Sequence, residues 1–165
     1  MSYYGSYTVM NGDLPEKLDQ FKCDICGEIL DESDERIIDH DKGKDYCVDC
    51  AFKAGIINDK EYVSMIYGYP CDRAATRNGK IYTVYGKHKF PWEKKFPSLE
   101  YDYYYKEFKK EVLERDNHTC QRCGKKNVNL VYHIESIKEH PEKCVDVDNG
   151  ITLCKSCLMR EANTK

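Results

Sequence analysis

Eight of the ten cysteines in this sequence fall into four C-x-x-C pairs: Cys23 with Cys26, Cys47 with Cys50, Cys120 with Cys123, and Cys154 with Cys157. Two thiolates three residues apart can grip one ion from a single turn, and two such pairs complete the tetrahedral four-sulfur set that suits zinc. Twenty residues separate the first pair from the second and thirty the third from the fourth, both compatible with structural zinc sites. The competing chemistry for a lone C-x-x-C, thiol–disulfide exchange, needs a thioredoxin-like βαβ setting that is missing here. Two structural Zn²⁺ ions are therefore expected. Cys71 and Cys144 stand outside the pairs and read as small buried hydrophobes.

The elements that must position these sulfurs have to fit in 165 residues and 19.3 kDa, room for one ordinary domain or two small ones and too little for a large enzyme fold. With 41% hydrophobic and 33% charged residues and 14 tyrosines, the chain is not of disordered composition. No apolar run approaches the roughly 20 residues of a bilayer span, and residues 1–20 lack a basic-then-apolar leader pattern. The expectation is a soluble, unexported, cytoplasmic protein, in a compartment where thiols stay reduced and metal ligation is favoured over disulfides. Charge is uneven: residues 1–70 carry 7 basic and 15 acidic side chains, residues 71–165 carry 19 and 14. Nucleic-acid contact is thereby assigned to the second half, and the acidic first half is left to repel phosphate or to face a protein partner.

Residues 1–20 mix Tyr, Ser, Gly and Asn without periodicity and read as a tail. Residues 21–68 form the acidic zinc-finger module, in which Gly27 allows the tight turn that aims backbone amides at thiolates. Short strands at 36–40 and 44–46 surround the turn 41–43. The second cysteine pair then opens a helix through Ala51, Phe52 and Ala54. Asn58 or Asp59 can cap another, with Tyr62, Met65 and Ile66 on one face. Residues 69–97, punctuated by Pro70, Gly79, Gly86, Pro91 and Pro97, read as a basic connector with one strand at 81–85. From Ser98 the residues Tyr101, Tyr105, Phe108 and Val112 recur at helical spacing and predict a helix ending near Asp116. It leads into the second metal module, so the last domain is 98–165.

The longer spacer must hold extra structure. Residues 115–124, with Arg115, Asp116, Cys120, Cys123 and Gly124, the strand ending at His133 and Ile134, the segment 148–154 and the closing Cys157 resemble an HNH endonuclease of the four-cysteine type. The resemblance covers roughly residues 105–162. It implies a ββα-metal fold, a hairpin followed by a helix clasped by the zinc, within an overall small, zinc-stabilised α+β protein. His133 would be the general base that takes a proton from water, Asn149 would hold the loop and orient the imidazole, and a divalent ion such as Mg²⁺, Mn²⁺ or Ni²⁺ would sit opposite.

This sequence departs from the family at the ion's ligands. Tyr132 replaces the ligand before the base, Leu158 the one after the last zinc cysteine, and Ala162 a third. Leu and Ala have no lone pair to give, and a neutral phenol is a poor ligand for a hard cation. Glu135, Asp146, Asp148, Asn163 and His140 are donors nearby, none at a matching position.

The basic residues Arg73, Arg77, Lys80, Lys87, Lys89, Lys94, Lys95, Lys109, Lys110, Arg115, Arg122, Lys125 and Lys126 are the candidate phosphate contacts. Trp92 and Phe96 lie among them and are expected to pack rather than to stack on bases. The reading that results is an HNH-lineage zinc protein that binds nucleic acid, double-stranded DNA by resemblance, with hydrolysis placed in doubt by Tyr132 and Leu158. The alternative is a non-catalytic DNA-binding or protein-interaction adaptor.

Overall fold

The computed structural model describes residues 2–66, 71–96 and 98–162, with the backbone only for Tyr101, Glu161 and Ala162. The chain is mixed α and β and divides into two compact units, Met1–His88 and Lys89–Lys165. The connector expected at 69–97 is therefore not a separate segment: its first part folds with the first unit and its last part with the second. The expected boundary at 68/69 lies outside the described residues.

The first unit starts with a hairpin where a tail was expected. Strands β1 (Tyr3–Asn11) and β2 (Leu14–Lys22) pair antiparallel, and β3 (Ile29–Asp31) adds to β2 in the order β1-β2-β3. The signal was the two-residue Gly12-Asp13 step between Asn11 and Leu14, a hairpin turn with glycine at its first central position, where Gly12 takes a φ of +67°. It was masked because most of the ribbon faces solvent on both sides, so no apolar alternation marks it.

Next come the hairpin β4 (Arg36–Asp39) with β5 (Lys44–Cys47), then helix α1 (Val48–Lys53) and helix α2 (Asp59–Met65), close to expectation. Asn58 caps α2: its side chain accepts from the Lys60 and Glu61 amides at 3.0 Å, and the Glu61 carboxylate accepts from the Asn58 amide at 2.7 Å. A last hairpin, β6 (Arg73–Arg77) with β7 (Lys80–Val84), turns through Asn78 and Gly79 at φ +48° and +73°, the type I′ geometry that right-twisted strands favour. The core joins Cys23, Cys47 and Cys50 to Leu30, Tyr46, Phe52, Ile57 and Tyr62. The Phe52 and Tyr62 rings stack at 4.3 Å.

In the second unit Asp102 caps helix α3 (Tyr103–Arg115), accepting from the Tyr104 amide at 2.8 Å. Tyr105, Phe108 and Val112 form its buried face, as their spacing predicts. Strands β8 (Val131–His133) and β9 (Gly150–Thr152) pair antiparallel, and helix α4 (Lys155–Ala162) follows directly. Gly150 is where α3 lies against β9: a Cβ there would fall 2.4 Å from Val112 Cγ2 and 2.9 Å from Phe108 Cε2. Among the described residues no helix is long and apolar enough to cross a membrane.

Candidate functional site

The eight paired cysteines converge as two sets of four, Cys23/Cys26/Cys47/Cys50 and Cys120/Cys123/Cys154/Cys157, with the sulfurs of each set within 4.8 Å of one another. A zinc–sulfur bond of 2.3 Å in a tetrahedron puts neighbouring sulfurs about 3.8 Å apart. Cys26 and Cys47 are 3.9 Å apart, and Cys123 and Cys154 are 3.7 Å apart. Both separations lie far beyond a disulfide bond, so each set is fit to hold one structural zinc.

The two sets are built by one local design. In the first, the Cys23 amide donates to Glu28 O, Gly27 N to Cys23 O, and Asp24 N to Asp45 O. In the second, Cys120 N donates to Lys125 O, Gly124 N to Cys120 O, and Gln121 N to Thr152 O. Gly27 and Gly124 have φ of +78° and +72°, which a side chain would strain. Asp45 and Thr152 each stand two residues before the third cysteine, which in both sets leads into a helix.

The electrostatics match as well. Burial alone would raise the Cys23 pKa, but the amides of Cys26, Cys47 and Ile25 bring it down to about 6. Cys120 is likewise raised by burial and brought to about 6 by the amides of Cys154, Arg122 and Cys123. The backbone thus stabilises a thiolate at Cys23 in the first set and at Cys120 and Cys154 in the second, while Cys50 is pushed up to about 11, chiefly by burial, and Cys157 to about 12, chiefly by Cys154. A divalent cation resolves that crowding of negative charge.

His133 ends β8. Its ring lies face to face with Phe108, with centroids 5.0 Å apart and planes 5° apart, and Tyr105 flanks it at 5.9 Å. Nε2 is 3.1 Å from the backbone oxygen of Cys144. A carbonyl can only accept, which assigns the proton to Nε2 and leaves Nδ1 as the basic nitrogen. Burial pushes the imidazole pKa below the usual histidine range, against the opposing pull of the Cys144 carbonyl. The ring borders a cleft of about 550 Å³ together with Phe96, Glu100, Lys109, Tyr132 and Lys138.

Asn149 is 4% exposed and works as a loop clamp. Its Oδ1 accepts from the Glu135 amide at 2.7 Å, and its Nδ2 donates to Glu135 O and Lys143 O, each at 3.2 Å. It thereby fixes the chain that presents the Cys144 carbonyl, so any orientation of the imidazole passes through the backbone. Cys144, 2% exposed, matches the small buried residue expected. Cys71 is only half-buried and donates to Arg73 O.

Tyr132 and Leu158 pack against the buried cluster of Cys120, Val128, Leu153, Cys154 and Cys157. The side chain of Ala162 and all of Asn163 lie outside the described residues. Among the nearby donors, Glu135 accepts from Lys143, His140 sits 3.1 Å from Glu142, and Asp146 accepts from the Asp148 amide. Among the described residues, groups of three or more His, Cys, Asp or Glu suited to one metal are the two cysteine sets.

The thirteen basic candidates are divided between the two units. Arg73, Arg77, Lys80 and Lys87 belong to the first unit and the other nine to the second. Lys94 is bonded to the buried Asp102 carboxylate. Arg115 is a staple: its guanidinium donates to Val147 O at 2.8 Å and Gly150 O at 2.7 Å and pairs with Asp116, whose other oxygen accepts from the Thr152 amide. Lys89, Lys95, Lys110, Lys125 and Lys126 are exposed. Trp92 stacks on Phe90 at 4.9 Å as expected, whereas Phe96 is 57% exposed and does not pack away. No family model, no curated protein and no solved structure matches the chain.

Proposed function

We propose that this chain is a zinc-stapled DNA-binding protein of the HNH endonuclease lineage, with its second unit as the ββα-metal module and duplex DNA as its ligand. The observation that carries the reading is the setting of His133. It closes the first strand of the β8–β9 hairpin, with its proton held on Nε2 by the Cys144 carbonyl, and Asn149 ties the intervening loop together beside it. The second unit carries 15 basic and 13 acidic side chains against 11 and 16 in the first, which favours it as the unit that meets phosphate.

Binding without hydrolysis is favoured by the donor set. At two of the family's cation positions stand Tyr132 and Leu158, apolar surfaces turned onto the cysteine cluster. A catalytic cation does not fit that pair, and without one several kcal/mol of transition-state stabilisation are missing, on the order of what a metal supplies. In this reading the proton acceptor is Nδ1 of His133, the nitrogen left basic when Nε2 donates to the Cys144 carbonyl.

The test is to incubate zinc-loaded protein with plasmid DNA and Mg²⁺, Mn²⁺ or Ni²⁺, beside His133→Ala. Retention that weakens steeply with salt and leaves the plasmid supercoiled is the expected result. Nicking abolished in His133→Ala would convert the reading to an active nuclease. No retention at low salt would end the DNA-binding proposal.

A further inference from the structure

Strand β1 is paired on one side only. The sheet runs β1-β2-β3, and among the described residues no strand adds to the outer edge of β1. β3 reaches only as far as Gln20, Phe21 and Lys22 of β2, so the ribbon from Ser6 to Glu16 continues as two strands. Along it Tyr7, Met10 and Leu14 are 37%, 66% and 74% exposed. A two-stranded ribbon open on both faces is marginal by itself. Natural sheets guard a bare edge with lysine, proline or a bulge. Residues 2–12 contain no charged side chain and no proline, and the one irregularity lies at the base, between Tyr3 and Gly5.

We propose that β1 pairs antiparallel with β1 of a second copy of this chain, joining two three-stranded sheets into one of six strands about a two-fold axis. Charge confines a second copy to this strand. The first unit carries a net excess of acid, with 16 acidic and 11 basic side chains, so two copies repel over most of its surface. The uncharged strand is where they can meet without opposing like charges. The sheet's other edge, β3, is three residues long and carries Asp31. A strand paired with itself is self-complementary by symmetry. In a register centred on Tyr7, Tyr4 of each copy faces Met10 of the other and Gly5 faces Val9, pairings of aromatic with thioether and of small with β-branched.

The inference is independent of DNA binding and is tested without it. Sedimentation of the full zinc-loaded chain at tens of micromolar is expected to give twice the mass of one chain. Ser6→Lys/Thr8→Lys and Ser6→Glu/Thr8→Glu place like charges opposite one another across the axis, and each is expected to sediment as one chain while keeping two zincs. Mixing the two variants should restore the doubled mass, because lysines then face glutamates. A wild-type chain that stays single, a doubled mass that persists in both variants, or a mixture that stays single would each overturn the proposal. A single wild-type chain that pairs only with a different protein would assign the edge to that partner instead.

Discussion

After the first cysteine knuckle the chain makes a strand, turns back through four residues, 40–43, and returns to Cys47. After the second it makes the corresponding strand, but between Tyr132 and Ile151 lie eighteen residues, 133–150. His40 and His133 stand at matching places at the end of the outward strand, His40 just after Asp39 and His133 as the last residue of β8. His40 is an exposed turn residue, whereas His133 is half-buried against α3 with Asn149 and Cys144 around it. A metal clasp fixes the base of a hairpin and leaves its tip free to vary, so one scaffold can carry a plain turn or a site. The candidate site of this protein is what the second clasp's tip has grown.

If the clasps are equivalent in build, stripping either should be the most damaging single change to its unit. Binding free energies of structural zinc are about 10 kcal/mol or more, comparable with the whole stability of a domain. Cys47→Ser is expected to leave one zinc per chain and to abolish amide-exchange protection across the first unit while the second keeps its own. Cys154→Ser should do the reverse. Loss of protection in both units from either variant would show that the comparison treats as separate what folds as one.

The glycine four residues before the third cysteine sharpens the contrast. Gly43 has φ +62° in a solvent-exposed turn, so Gly43→Ala takes on the left-handed backbone penalty, about 1–2 kcal/mol. Gly150 is needed for contact, because an added methyl collides with Val112 and Phe108. Gly150→Ala should cost about 3 kcal/mol or more by forcing α3 off β9. Chemical denaturation of the two variants measures the difference, and equal costs would contradict this account of α3 packing.

The sequence made the sulfurs, the order of strand and helix around them, and the buried face of α3 legible, because fixed spacing and helical period are local properties. It made His133 and Asn149 legible only through resemblance, and what they touch was not written in either. The Cys144 carbonyl and the Arg115 staple are contacts to backbone from residues many positions away, and any residue type supplies a carbonyl. The β1–β2 ribbon was missed for the opposite reason. With little buried on either face it leaves no alternation, and its one local signal is the two-residue Gly12-Asp13 turn. Gly79 likewise reads as a break in the connector, where with Asn78 it makes the turn of a hairpin.

A smaller effect separates loop clamping from acid–base duty at Asn149. Asn149→Ala removes three hydrogen bonds around a buried position and should cost about 2–3 kcal/mol. Asn149→Asp keeps the acceptor for the Glu135 amide but turns an oxygen toward the carbonyls of Glu135 and Lys143, so it should be no better than alanine. If aspartate instead restores wild-type stability, the two carbonyl contacts contribute nothing.

The smallest expected effect is the most specific to the second clasp. The His133 pKa is held below its ordinary value by burial, so below about 6.5 the unfolded chain binds the proton more readily than the folded one. Stability from this group is present above that pH and falls as pH falls through it. His133→Phe keeps a ring against Phe108 but leaves the Cys144 carbonyl without its donor, a loss of about 1 kcal/mol near pH 7.5. On acidification the wild type loses its histidine term and the variant has none to lose, so the gap between them should narrow from pH 7.5 to pH 5.5. The cysteine sets titrate in both proteins and cancel in the difference. A gap that widens instead would mean that the folded state binds the proton more tightly, and that an anionic group faces the imidazole from within the 133–150 loop.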